Sequence, residues 1–448
     1  MLCNTVSRGD SQSQAPVASV ADALNMKAGT ADNGEAPFPD LSEFGITRNA
    51  FLPAKSPVTS LSDSYYEPWE YIAHNLPSLI DNDYIRDVVR ELPVLSTNLL
   101  ESEVEWQRAY VLLGFMAQAY IWGGDNPEPR LPPQITVPLL AVSAHLEVQP
   151  TLTYAGANLW NFSCPSSDFS LMDELKLHVS FTGSESESWF LLISVPMEAK
   201  AAGVLPTMIR ALEAVKVRDY DTITSALGDL RVCIDDVRAL LGRVDEKCDP
   251  MMFYHRIRPF FAGSMNMASA GLPNGVYYDE GAGRGGSWRQ YSGGNNGQSA
   301  LIQFFDAILG VQHADEHGAG GRKAFHVEVR EYMPGPHRRL LEHIARMGSI
   351  RDLVLEEPIS AAQHRLREAY TAATDALSAL RDRHIQIVAR YVIVPSRKPW
   401  TGKSRKNLAS SSSTRKPGVV LMGTGGTKLM PFLRTSRDET RQAGKLMR

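Results

Sequence analysis

The segment from Ser360 to Pro395 constrains this chain most, because it reads as a single helix running from a capping signal to a proline. Ser360 with Gln363 three residues on has capping-box spacing, and Pro395 both lacks an N–H and clashes with the preceding turn. The spacing predicts roughly 34 residues of helix, about 50 Å at 1.5 Å per residue, which suits the central axis of a bundle. Along it Leu377, Leu380, His384, Ile387, Val388 and Tyr391 fall at steps of three, four or one, the spacing of one helical face. His384 therefore puts an imidazole into an apolar stripe. Two readings stand side by side. The commoner is a hydrogen-bonded core histidine; the sharper is an axial ligand to haem iron, with the rest of the stripe pressed on the porphyrin. Arg381, one turn back, suits a propionate or a carboxylate supporting the histidine.

Elsewhere the chain alternates helical patterns with proline and glycine, and sustained period-two alternation is nearly absent, so the fold class expected is all-α. "SEVEWQRAYVLLGFMAQAYIWGG" opens with Ser102 and Glu105 at capping-box spacing and stops at a glycine pair, as a buried helix should. A proline-rich run follows, and a domain junction is expected near residue 150. Beyond it, helices are expected in "SWFLLISVPMEAKAAGVLPTMIRALEAV", "YDTITSALGDLRVCIDDVRALLGRV", "QSALIQFFDAILGVQH" and "HRRLLEHIARMG". Residues 281–297 are glycine-rich enough to read as neither helix nor strand, but as backbone shaped for close approach. Residues 396–418 carry seven basic residues and no acid, and read as a flexible basic loop. The organisation expected is a disordered tail over 1–37, a small mainly helical domain over 38–150 and a large helical domain over 151–448.

Of the 448 residues, 43% are hydrophobic and 21% charged, the balance of a globular chain with a sizeable core. A formal net charge of -4 provides no basic field for nucleic acid or an anionic membrane, so neither partner is expected. The four cysteines, Cys3, Cys164, Cys233 and Cys248, lie far apart with no C-x-x-C pair, which argues for a reduced, cytoplasmic setting. No signal segment and no membrane span are expected, since the apolar runs fall short of about 20 residues.

Several short motifs compete for attention. "HADEH", from His313 to His317, matches the H-x-x-E-H zinc-peptidase pattern and leaves a zinc hydrolase as an alternative, although the glycines that follow make a poor platform for a catalytic metal. "GAGRGG" has G-x-G-x-x-G spacing without the strand and helix a dinucleotide fold needs. "GTGGTK" lacks phosphate-loop spacing, but it offers backbone N–H groups and the Thr424 hydroxyl on a loop able to close over a small polar ligand. "MMFYHRIRPFFAGSM" sets Arg256 and Arg258 among aromatics, where a guanidinium needs either a protein carboxylate or a substrate carboxylate.

Seven collinear stretches together resemble one family: "HLEVQPTLTYAGANLWNF", "SWFLLISVPMEAKAAGVLPTM", "FYHRIRPFFAGS", "SGGNNGQSALIQFFDAILG", "EYMPGPHRRLLEHI", "LREAYTAATDALSALRDRHIQIVARYV" and "GTGGTKLMPFLRTSRDET". The chain is similar, from about residue 38 to about residue 440, to the indoleamine 2,3-dioxygenases, and specifically to their microbial or fungal-type members. The resemblance implies a large C-terminal haem-binding domain capped by the smaller N-terminal one, with haem b as cofactor and His384 as proximal iron ligand. It implies that Asp306 and Arg381 support that histidine from behind. It implies a distal pocket of Tyr154, Phe190, Ser194, Phe253 and Arg258, walled by Gly294 and Asn295. Arg258 would take the substrate carboxylate, and Ser194 and Thr424 would stand beside the reacting molecule.

The implied reaction adds both atoms of dioxygen across the indole carbon 2–carbon 3 bond of tryptophan to give N-formylkynurenine. The partners implied are L-tryptophan or a related indoleamine, dioxygen and a reductant that keeps the iron ferrous. The cofactor carries such chemistry while the protein supplies orientation and excludes water. One departure stands out: "SGGNN" puts Asn295 and Asn296 where better-known members have "GGSA". That makes a catalytically weak haem-binding or sensing protein of the same fold the rival reading.

Overall fold

The computed structural model describes residues 40–281, 283–313, 325–402, 421, 423–424 and 428–446, all in one compact unit. The tail over 1–37 and residues 403–418 of the basic loop lie outside the described residues. The chain is mostly helical. Helices of six or more residues run in the order α1 (Glu67–Asp81), α2 (Ile85–Glu91), α3 (Glu103–Trp122), α4 (Pro133–His145), α5 (Glu185–Leu192), α6 (Ser194–Ala199), α7 (Val204–Val217), α8 (Tyr220–Gly242), α9 (Ala300–Ile308), α10 (Gly335–Met347), α11 (Ile350–Leu355), α12 (Ala361–Val388) and α13 (Leu429–Ala443).

Side-chain caps start the two helices that the spacing marks most clearly. At α3 the Ser102 and Glu105 capping box is formed on both sides. At α12 Ser360 accepts the Gln363 backbone N–H, and the Gln363 side chain accepts the Ile359 N–H at 2.8 Å. The 28 residues of α12 span about 42 Å. The helical path continues through a π turn, Ala389–Ile393, into Val394–Ser396. It thus passes Pro395 by one residue, the widened turn absorbing the missing donor. No other element packs against α12 as extensively as α8, and α13 lies along it too.

Two segments differ from the sequence reading. The proline-rich run after α3 contains α4, because Pro133 sits in the first turn where its missing N–H costs nothing, and Pro138 is tolerated inside. Residues 281–297, expected to hold no strand, contain one. Strand β2 (Val276–Asp279) pairs antiparallel with β3 (Gly286–Arg289), setting Tyr277 opposite Trp288, while β1 (Arg130–Leu131) runs parallel along the other edge of β2. Gly281, Gly283 and Gly285 all adopt positive φ, so the glycines that obscured the strand are the turn that makes the hairpin.

Burial divides the interior into two hydrophobic clusters. One runs across position 150, from Leu52 to Val195 and again from Val244 to Tyr278, and includes Trp69, Phe115, Trp160 and Phe260. The other is built from α7, α8, α9, α10 and α12, with Met208, Leu227, Phe304 and Leu377 inside it. Ile387, three residues after His384, packs against both. Cys164, Cys233 and Cys248 are buried free thiols. Among the described residues no single helix is long and apolar enough to cross a membrane.

Candidate active site

A cavity of about 300 Å³ opens where the two clusters meet, with α12 as one wall. Leu380, Arg381, His384, Ile387 and Val388 face it from that helix, as the i, i+3, i+4 spacing requires. The apolar stripe is therefore a cavity wall at His384 rather than a packed seam. His384 is only half-buried by accessibility although deep in the molecule, because its ring borders the cavity. Among the described residues neither ring nitrogen has a hydrogen-bond partner. Burial and the neighbouring Arg381 charge hold its pKa down to about 4, so the ring is neutral.

Behind it, Arg381 donates to both oxygens of Asp306 on α9, at 2.6 and 2.7 Å, and to the Ser436 carbonyl of α13 at 2.6 Å. Burial pushes the Asp306 pKa up, but the Arg381 charge together with the His313 hydrogen bond and the nearby histidines outweighs it, so the pKa is lowered and the carboxylate stays ionised. Both residues line the cavity, yet neither hydrogen-bonds the His384 ring. They brace one another and the surrounding helices.

The facing wall comes from irregular backbone. Tyr154 precedes a π turn, Ala155–Leu159; Phe253 opens another, Phe253–Ile257; Arg258 starts the 3-10 turn Arg258–Phe261. Such departures from α geometry, two widened and one tightened, break the regular helical ladder and re-aim side chains, which is why π turns recur at functional sites. Phe190 on α5 packs on Phe253 with ring centres 4.5 Å apart. Ser194 begins α6 and also faces the cavity. Arg258 is buried, its guanidinium 5.9 Å from the Tyr254 ring centre, and it lines the cavity. Arg256 instead pairs with Asp81 of α1, so the two arginines of the aromatic motif divide between structure and site.

Gly294, Asn295 and Thr424 complete this wall. The Gly293 N–H donates to the Thr424 carbonyl at 2.9 Å, and the Thr424 hydroxyl donates to the Gly294 carbonyl at 3.1 Å. A Cβ at Gly293 would collide with the Phe261 carbonyl and the Gly263 backbone, so only glycine permits this approach. The Asn295 amide is used by its own loop: its Nδ2 donates to the Gly293 carbonyl and its Oδ1 accepts the Gly297 N–H, both at 2.9 Å. That satisfies the amide of Asn295, while Asn296, the second departure from "GGSA", is exposed and also borders the cavity.

His313, the zinc candidate, is committed elsewhere. Its Nδ1 lies 2.6 Å from Glu439 of α13 and its Nε2 3.4 Å from Asp306, and its ring stacks on His326 with centres 3.5 Å apart. His317 lies outside the described residues. Glu198, which was not among the residues expected from sequence, also borders the cavity four residues after Ser194; that spacing puts both on one face of α6 and is the signal for it in the sequence.

The model of the indoleamine 2,3-dioxygenase family matches residues 40–443, nearly the whole described chain. The chain belongs to the indoleamine 2,3-dioxygenase family. It is 39% identical to an indoleamine 2,3-dioxygenase of Penicillium citrinum over 90% of this chain and 88% of the relative. A 6-hydroxytryptophan 2,3-dioxygenase of Fusarium equiseti is 37% identical over 87% of this chain and 94% of its own. An indoleamine 2,3-dioxygenase of Saccharomyces cerevisiae is 37% identical over 90% and 93%. This dioxygenase is thus a haem-dependent oxidoreductase acting on tryptophan-type indoles with dioxygen. The zinc-hydrolase reading gives way to it.

Proposed function

We propose that this dioxygenase converts L-tryptophan, or a closely related indoleamine, and dioxygen into N-formylkynurenine, using haem b held by His384. The observation that carries this reading is the neutral, unpartnered imidazole of His384 bordering a cavity whose opposite wall holds a buried arginine among phenylalanines. An iron ligand needs a free, deprotonated nitrogen, and a porphyrin needs apolar flanks; both are present in the residues of α12. When bound, the haem supplies the dioxygen-activating chemistry.

The chain's own residues then have limited tasks. Arg258 takes the substrate carboxylate, a charge-assisted pairing that fixes which end of the amino acid enters. Phe190 and Phe253 give the indole an apolar slot and exclude water. Thr424, tied to Gly293 and Gly294, closes the side of the slot. Asp306 and Arg381 hold α12 against α9 and α13, and so fix the helix that carries His384. Residues 38–150 serve as the cap: Tyr110 of α3 donates to the Thr151 carbonyl and lies 3.1 Å from the Thr153 hydroxyl, bracing the turn that carries Tyr154. A cytoplasmic reductant keeps the iron ferrous.

The test is an absorption spectrum of haem-loaded protein with and without L-tryptophan, followed by product formation under reducing conditions. A Soret band that shifts with tryptophan, together with N-formylkynurenine absorbance, is expected. A protein that takes up no haem would overturn the reading.

A further inference from the structure

The cavity wall contains a carboxyl group with half its valences unused. Glu198 is 1% exposed. Its Oε1 accepts the Tyr154 hydroxyl at 2.9 Å and the Ser299 hydroxyl at 2.7 Å. Its Oε2 is buried with no hydrogen-bond partner among the described residues. Buried polar atoms are seldom left in that state, and an ionised oxygen least of all, because it gives up hydration without replacement.

The two donors belong to separate elements. Tyr154 enters the π turn on one side of the cavity, and Ser299 is the residue from which α9, the helix of Asp306, begins. Glu198 lies on α6 with Ser194. One oxygen therefore ties together three pieces of the cavity's edge, and Tyr154, Glu198 and Ser299 all line it.

We propose that Glu198 is a positioning residue for indole binding, which gains and loses one proton in the working pH range and thereby loosens or fixes the phenol of Tyr154. This rests on the tryptophan-dioxygenase reading of the cavity. In the ionised state both hydroxyls point at a full negative charge, the stronger kind of hydrogen bond. With a proton on Oε2, Oε1 is the carbonyl oxygen of an acid, and it holds the same hydroxyls less firmly.

The surroundings favour such exchange. Among the described residues no ion pair joins this carboxyl to a cation, although Arg258 and Arg381 border the same cavity. Tyr154 is a donor throughout, since burial and the neighbouring carboxyl push its phenol far above the usual range. From α8 comes Cys233, whose thiol burial pushes up to about 12, leaving it uncharged. Beyond that, Asp236 pairs with Lys200 at 3.1 Å near the surface. Burial raises Glu198 to about 7 against the pull of its two hydrogen bonds.

The test pairs infrared spectroscopy with kinetics on haem-loaded protein, comparing wild type with Glu198→Gln and Glu198→Asp. A protonated-carboxyl band should appear as pH falls from about 8 to about 6 and be missing in Glu198→Gln. Over the same interval KM for L-tryptophan should rise about 3- to 10-fold in wild type, with kcat little changed, as for the weakening of one hydrogen bond. Glu198→Gln should hold one KM throughout, and Glu198→Asp should regain a pH response. A wild-type band that does not titrate in that interval, or a Glu198→Gln profile matching wild type, overturns the proposal. Were the substrate reading itself wrong, no product would form at any pH, while the infrared titration would still judge Glu198.

Discussion

The Nη2 of Arg381 lies within 2.7 Å of both carboxylate oxygens of Asp306, one helical turn ahead of the imidazole at position 384. Both partners are nearly buried, at 12% and 9% exposure. Attraction at this depth is offset largely by lost hydration, so the pair's value lies in what happens when one member is removed.

Asp306→Asn should therefore destabilise the fold by about 3 to 5 kcal/mol, because it leaves a buried guanidinium without its carboxylate. A urea unfolding midpoint measured on haem-free protein checks this apart from any effect on the cofactor. A loss below about 1 kcal/mol would mean that the Ser436 carbonyl alone satisfies Arg381.

Replacing His384, the proposed iron ligand, should behave in the opposite way. Alanine is the best helix former, and the His384 ring makes no hydrogen bond, so His384→Ala should keep its helical circular dichroism. It should fail to develop a Soret band on haem titration. A normal Soret band with full turnover would remove His384 from the iron.

Arg258→Ala should lower kcat/KM for L-tryptophan by about 2 to 4 kcal/mol, roughly 30- to 900-fold, as for the loss of a charged hydrogen-bond partner. The comparison that isolates the contact is tryptamine, which has the same ring without a carboxylate. Wild type should prefer tryptophan strongly, and the variant should prefer it weakly. Equal preference in both proteins would place the carboxylate elsewhere.

His313 gives a pH dependence with a definite sign. Burial disfavours its charged form, but hydrogen bonds to Asp306 and Glu439 outweigh that, so its folded pKa is raised. Its contribution is complete below the unfolded value of about 6.5 and is lost as pH rises through the folded value. Wild type should thus be more stable than His313→Gln in mildly acidic buffer, with the gap closing toward alkaline pH. Urea midpoints at about pH 6 and about pH 9 are the measurement. A gap that widens at high pH would show that the ring acts there as a neutral packing group.

Local signals in the sequence were readable where the physics was local. Ser102 with Glu105 and Ser360 with Gln363 announce α3 and α12 because capping involves only neighbours. The His384 stripe pointed to one face of α12, and that face does border the cavity. Strand β3 was hidden because its partner β2, not its own glycine-rich composition, makes it a strand. Helix α4 was hidden because prolines weigh against a helix unless their position within the turn is known. Least visible were the long-range polar partners: nothing near His313 signals that Glu439, 126 residues on, will meet its ring, and Glu198 gains meaning only once Tyr154 and Ser299 are folded onto it.

Ile387 touches both oily masses of the molecule while sharing a helix with His384, the proposed iron ligand. A void introduced beside Ile387 in either mass slackens the same rod. The colour of the loaded protein should therefore act as a strain gauge for the entire interior, broadening before any wholesale loss of helix.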